Sequence, residues 1–180
     1  MADALKSFCE ASSAALRADP GPGGREQVRR MVETLVADPE FVETWLGSEA
    51  PLGKRTLYED AELGFVVLGY RQDKPHRSPP HDHGRSWAIY AQADAYTDMT
   101  LYRRLDGGEG AGPAQIELDR SYRLEPGHAG LYDGPEIHAI DYPAGSRYVR
   151  ITGCDLDRVP RLRYDLATGE AKVIESATAS

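Results

Sequence analysis

The sequence reads as a mainly β protein, a sandwich or barrel, with a helical cap over residues 1–50 and a single domain over residues 1–180. Two textures along the chain carry that reading. Before residue 50, apolar residues recur at three- and four-residue spacing, the mark of a helical stripe; after Pro51, short apolar and aromatic runs are bounded by turn residues. Most of the 18 glycines and 12 prolines fall in the second part and interrupt it too often for a helix bundle.

In the cap, a first helix is expected over about Ala4 to Leu16, ended by Pro20-Gly21-Pro22-Gly23-Gly24. Val28, Met31, Val32, Leu35 and Val36 then form the stripe of a second helix. Asp38-Pro39 predicts a fresh start, because Asp caps a helix N-terminus and Pro is tolerated at the first helical position; Phe41, Val42, Trp45 and Leu46 follow on that helix. Strands are expected at Arg55 to Glu59, Gly64 to Arg71, Trp87 to Ala91, Met99 to Arg104, Ile116 to Leu118, Ser121 to Leu124, Ala129 to Tyr132, Ile137 to Tyr142 and Tyr148 to Thr152. The tail adds a hairpin, Leu162 to Leu166 and Ala171 to Ile174, turning at Thr168-Gly169. The glycine-rich stretch from Asp106 to Pro113 reads as a surface loop.

With 180 residues, 41% of them hydrophobic, the chain can bury a substantial core without disulfide staples. Its formal net charge of −8 lacks the basic surplus that phosphate backbones and anionic membranes select, so neither nucleic acid nor a membrane is an expected partner. Cys9 and Cys154 form no CxxC motif or disulfide framework, and the N-terminus, with Asp3, Glu10 and Asp19, does not read as a secretory signal. A reducing cytoplasm is the expected compartment.

Chemistry concentrates in the histidines. His81 and His83 stand two apart in Pro79-Pro80-His81-Asp82-His83-Gly84, and an extended chain turns such a pair to one face. His138, on a later strand, completes a facial set of three neutral imidazoles around one metal ion, with its other coordination positions open. His76 and His128 read as exposed loop residues, His76 near enough for a pocket rim; Asp82 and Glu136 are expected in solvent or behind the ligands. Trp87 and Tyr90 read as core, with a pocket-lining role as the alternative.

On these residues the chain resembles the cupins over roughly residues 51 to 175, and within them the type I cysteine dioxygenases and their mercaptopropionate-oxidising relatives. The first cupin motif corresponds to His81-Asp82-His83, and the third iron ligand to His138. Most cupins place a Glu ligand four or five residues after the HxH pair; Trp87 and Ala88 stand there, which matches the carboxylate-free site of the thiol dioxygenases. The resemblance implies a jelly-roll cupin barrel, Fe(II) as cofactor with Ni or Zn able to replace it, a small mercapto-carboxylate and dioxygen as substrates, and a sulfinate as product. It also implies that Arg55, in Lys54-Arg55-Thr56, holds the substrate carboxylate through its planar fork.

The chain departs from that family in several places. Ala88 stands where the mammalian-type enzymes carry a Cys linked to a Tyr, and a glycine expected after that strand is replaced within Gln92-Ala93-Asp94-Ala95. The family's Ser-His-Tyr relay falls on Tyr148-Val149-Arg150-Ile151-Thr152, which has no His, so Arg150 and Tyr148 are the candidates to rebuild it. Alternation puts Tyr148, Arg150 and Thr152 on one face, here expected to turn toward the metal, and Val149 and Ile151 on the other. Two other readings stay open: a cupin that binds a metal or small ligand without turnover, and an iron dioxygenase with a dicarbonyl-type substrate. The oligomeric state, monomer or dimer, also stays open.

Overall fold

The computed structural model describes residues 4–174. Three helices open the chain: α1 (Ala4–Ala18), α2 (Pro22–Val36) and α3 (Pro39–Leu46). α1 ends just before Pro20, as expected, and Pro22, Gly23 and Gly24 of the same run already begin α2. Asp19 makes this work: its carboxylate accepts from the Gly21 and Gly24 N–H groups at 2.7 and 3.1 Å, while a side chain at Gly24 would collide with the Asp19 carbonyl. The start of α3 follows the expected pattern, with Pro39 in the first turn and the Asp38 carboxylate accepting from Glu40 N–H at 2.9 Å.

The strands that follow all pair antiparallel. Strands β1 (Gly53–Glu59), β2 (Val66–Arg71), β3 (His76–Arg77), β4 (Ala88–Asp94), β5 (Thr97–Arg104), β6 (Gly112–Pro113), β7 (Ile116–Leu124), β8 (Ala129–Tyr132), β9 (Ile137–Tyr142), β10 (Arg147–Thr152), β11 (Arg161–Asp165) and β12 (Glu170–Ile174) follow in order. They form a five-stranded sheet, β1-β2-β10-β4-β8, a four-stranded sheet, β3-β9-β5-β7, and a small sheet, β11-β12-β6. The expected mainly β sandwich with N-terminal helices is therefore what the chain adopts.

The runs Ile116 to Leu118 and Ser121 to Leu124 prove to be one strand. Opposite β5, Leu101 pairs with Arg120 and Tyr102 with Leu118, so Asp119 is an extra residue that bulges out of a continuous β7. The two-residue strands β3 and β6 were not expected; β6 lies within the glycine-rich stretch read as a loop.

Both faces of the five-stranded sheet are covered. On its outer face Val149, Ile151, Ile89 and Ala91 pack with Val28, Val32, Phe41 and Leu46 of the helices. On its inner face Leu68, Tyr70, Tyr90 and Tyr148 meet Met99, Leu101, Ile140 and Tyr142 of the facing sheet. Gly69 lets α3 approach, since a side chain there would press on Leu46 and Leu57 at 3.0 to 3.1 Å. The inner layer, rich in tyrosine, holds the histidines.

Candidate metal centre

Backbone pairing alone brings the imidazoles together. Residues 80–82 run between β9 and β11, and His81 and His138 exchange both backbone hydrogen bonds at 2.9 Å. Directly opposed residues share a face, so both rings point inward, and His83, two residues on, joins them. Ring centroids lie 4.7 Å apart for His81–His138 and His83–His138 and 5.7 Å apart for His81–His83. One ligand nitrogen from each lies within 4.8 Å of the others, the geometry of three donors around one ion.

The loop is pinned from behind by Asp82, 3% exposed. Its carboxylate accepts from Leu162 N–H and Gly84 N–H, each at 2.9 Å, and from the Tyr164 hydroxyl at 3.0 Å, tying the histidine pair to β11. Gly84 completes the turn at φ +62, where a side chain would also strike the Pro160 carbonyl. Asp82 thus lies behind the ligands and is not one of them. Glu136 is exposed and accepts from Asp133 N–H, and His76 and His128 are exposed as well.

His83 and His138 are fully buried, and both nitrogens of His138 and Nδ1 of His83 have no hydrogen-bond partner among the described residues. Burial pushes the pKa of each well below the ordinary value, and the neighbouring imidazoles and the Arg150 charge push the same way. His81 is lowered too, chiefly by burial, against a hydrogen bond of 3.0 Å from its Nδ1 to the Pro79 carbonyl. A carbonyl can only accept, so Nδ1 carries the proton and Nε2 of His81 is free to bind a metal. Buried neutral imidazoles with unspent lone pairs fit a divalent transition metal.

Tyrosines surround the cluster. The Tyr90 hydroxyl lies 3.3 Å from His83 Nε2, and the Tyr132 ring centroid 4.6 Å from that of His138. Tyr148 stacks on Tyr70 at 4.4 Å, and burial pushes its hydroxyl pKa well up, keeping it neutral. Arg150 takes the inner face as alternation allows, its guanidinium 5.3 Å from the Tyr70 ring centroid and 5.9 Å from that of Tyr90.

Arg55 goes elsewhere. It shares a face with its pairing partner Gly69, the face that the helices cover, and its guanidinium donates to the Trp45 carbonyl at 2.5 Å while lying over the Trp45 ring. The structure brings Arg150, Tyr148 and the three histidines to one layer and leaves Arg55 on the other side of the sheet. The expectation that Arg55 holds a substrate carboxylate at the histidines does not fit this placement. Tyr90 lines the cluster, the alternative to its reading as core, whereas Tyr132, which packs on His138 from β8, has no such reading in the sequence.

No protein-family model matches the chain, and no curated protein matches it. Among solved structures, the chain is similar to the cupin domain of Cnp3 from Schizosaccharomyces pombe, with 8% identity, TM-score 0.45, and 59% of this chain and 66% of that one covered. It is also similar to a cupin superfamily protein from Desulfitobacterium hafniense, with 14% identity, TM-score 0.42, and 59% and 84% covered. A third likeness is to an oxalate oxidase, with 17% identity, TM-score 0.41, and 61% and 55% covered. Neither substrate nor activity carries over at such distances.

Proposed function

We propose that the chain is a three-histidine metalloenzyme of the cupin class that uses Fe(II) and dioxygen to oxidise the thiol of a small mercapto-carboxylate, of the cysteine or 3-mercaptopropionate kind, to a sulfinate. One observation carries the reading: three neutral imidazoles converge from one face with no carboxylate among them. An ion held by such a set would keep coordination positions open to exogenous ligands. Ni or Zn would be held by the same nitrogens. When bound, Fe(II) supplies the Lewis acidity that keeps a thiol deprotonated at neutral pH and the redox chemistry by which R–SH and O2 become R–SO2H, both oxygen atoms ending on sulfur with no further reductant.

The residues of the chain have distinct tasks in this reading. His81, His83 and His138 hold the metal, with His81 fixed in one tautomer by Pro79. Tyr90 places a hydroxyl beside His83 and also interacts with Arg150, so one side chain links the metal ligands to a fixed positive charge. That charge favours negative charge developing on the substrate. Tyr70, Tyr142 and Tyr148 wall the layer and exclude bulk water, which strengthens each of these interactions. Arg55 has no part in the reaction.

An oxygen-electrode screen of the Fe(II)-loaded protein, with mass analysis of the product, tests the proposal. Oxygen uptake dependent on 3-mercaptopropionate or cysteine, with a sulfinate product, is the expected result. Uptake only with dicarbonyl compounds would replace the thiol by a carbon-centred substrate, and no uptake with any of them would make the chain a binding module.

A further inference from the structure

Beside the histidine layer, the inner face of β1, β2 and β10 carries a second polar feature. A pocket of about 90 Å³ opens there, with Arg150 and Thr152 on β10, Thr56 and Lys54 on β1, and Leu68 on β2 among its walls. The Thr152 hydroxyl is fully buried with no hydrogen-bond partner among the described residues, and the buried Nε of Arg150 is in the same condition. Such groups are costly unless something answers them, and a buried charge most of all.

The nearby acids do not answer Arg150. Asp157 is taken by Lys54 at 2.5 Å and Arg161 at 3.3 Å and meets the Arg150 charge only at longer range. Asp155 pairs with Arg158 at 3.1 Å, and Glu59 is exposed. The Tyr70 and Tyr90 rings offset part of the charge through their faces and the Tyr90 side chain also hydrogen-bonds the guanidinium, but neither takes up the buried Nε–H.

We infer that this pocket is an anion subsite for a small monocarboxylate, with the Arg150 fork and the Thr152 hydroxyl as its principal donors. A planar fork matches the two oxygens of a carboxylate. The volume admits a group of that size, and Asp155, Asp157 and Glu59 at the walls oppose a more highly charged anion such as phosphate. The inference deepens the proposed function, since it assigns the substrate's carboxylate to Arg150, but the subsite itself needs no metal.

The test is calorimetric titration of the metal-free and Fe(II)-loaded protein with propionate, with its neutral isostere propionamide and with inorganic phosphate, alongside elemental analysis of metal. Propionate should bind at least tenfold more tightly than either of the others in both forms. Arg150→Gln should weaken propionate ten- to a hundredfold and keep its metal. Thr152→Val, nearly isosteric, should weaken it several-fold, which covers the case in which the arginine variant does not fold. Equal binding of propionate and propionamide, tighter binding of phosphate, or unchanged binding in a folded Arg150→Gln would overturn the inference. Metal-free protein that discriminates propionate but takes up no iron would leave the subsite standing and remove the metalloenzyme reading; iron uptake without discrimination would do the reverse.

Discussion

At the scale of single residues, convergence matters more than the count of histidines. Two of the five histidines are exposed and lie apart from the cluster; the other three meet because one backbone bridge and one two-residue step leave their rings no other face. His138 is fully buried and, unlike His83, has both ring nitrogens without a partner among the described residues. His138→Ala should therefore lower affinity for Fe(II) by more than about a hundredfold, since loss of an outer partner of a ligand alone costs about 10–100-fold. Elemental analysis after anaerobic reconstitution checks this against a wild type holding about one equivalent per chain. Retention of full metal by the variant would dissolve the site. Asp82 acts through the backbone. Asp82→Ala would leave two N–H groups and the Tyr164 hydroxyl without their acceptor, and unfolding in urea should show a loss of about 2–4 kcal/mol; a loss within ~0.5 kcal/mol would mean that the loop is held by other contacts.

At the scale of elements, two arginines of one sheet take opposite faces, Arg150 of β10 the inner and Arg55 of β1 the outer. The reading of β10 from alternation was correct in phase: Arg150 shares its face with Tyr148 and Thr152. What alternation cannot supply is which face is inside when both are buried, as they are where helices cover one side and a second sheet the other. On β1 the same ambiguity misdirected the reading. Leu57 shares the Arg55 side and packs with the helices, whereas Lys54 and Thr56 line the inner pocket. Arg55→Ala should consequently leave the KM for a mercapto-carboxylate within about twofold and lower stability by roughly 1–2 kcal/mol, the scale of one charge-assisted hydrogen bond and its stacking. Steady-state kinetics beside thermal melting separates the two effects, and a tenfold rise in KM would return Arg55 to the site.

The cap is joined to the sheet by another element-scale device, at the turn between β1 and β2. Asp60, 4% exposed, accepts from the Ser13 hydroxyl of α1 at 2.5 Å, from the Tyr58 hydroxyl at 3.1 Å and from the N–H groups of Leu63 and Glu62. Burial alone would raise its pKa; the hydrogen bonds outweigh burial and bring it from 3.8 down to about 2. A carboxylate depressed on folding contributes stability that is complete above its unfolded value and lost as pH falls through its folded one. Asp60→Asn should thus cost about 1 kcal/mol at pH 7, a figure discounted for solvent screening at the molecule's rim, and should flatten the loss of stability between about pH 4 and 2. Denaturation midpoints across that range measure it, and parallel curves for the two proteins would assign the acid sensitivity elsewhere.

At the scale of the whole molecule, the class of fold and the order of its elements were legible because helical stripes and turn-bounded strands differ in period. The finer breaks were not: a bulge at Asp119 breaks the alternation within one continuous strand, and the Asp19 carboxylate, accepting from Gly21 and Gly24 N–H, lets α2 begin at Pro22 inside a run whose composition signals a stop. More consequential is that the cap is no appendage. Val28, Val32, Phe41 and Leu46 share one buried cluster with Val149 and Ile151, and β10, which carries Arg150 inward, turns those two outward into it. Cap and sandwich should therefore unfold as one unit. Phe41, 2% exposed, probes this because its truncation opens a cavity between α3 and the sheet, costing about 3–5 kcal/mol, a large part of the stability of an ordinary domain. In Phe41→Ala, the far-ultraviolet helix signal and the near-ultraviolet signal of the stacked Tyr70–Tyr148 pair should move to lower denaturant together. A helix signal that melted first, with the tyrosine signal unmoved, would make the cap a separate folding unit and leave the inner face of β10 independent of it.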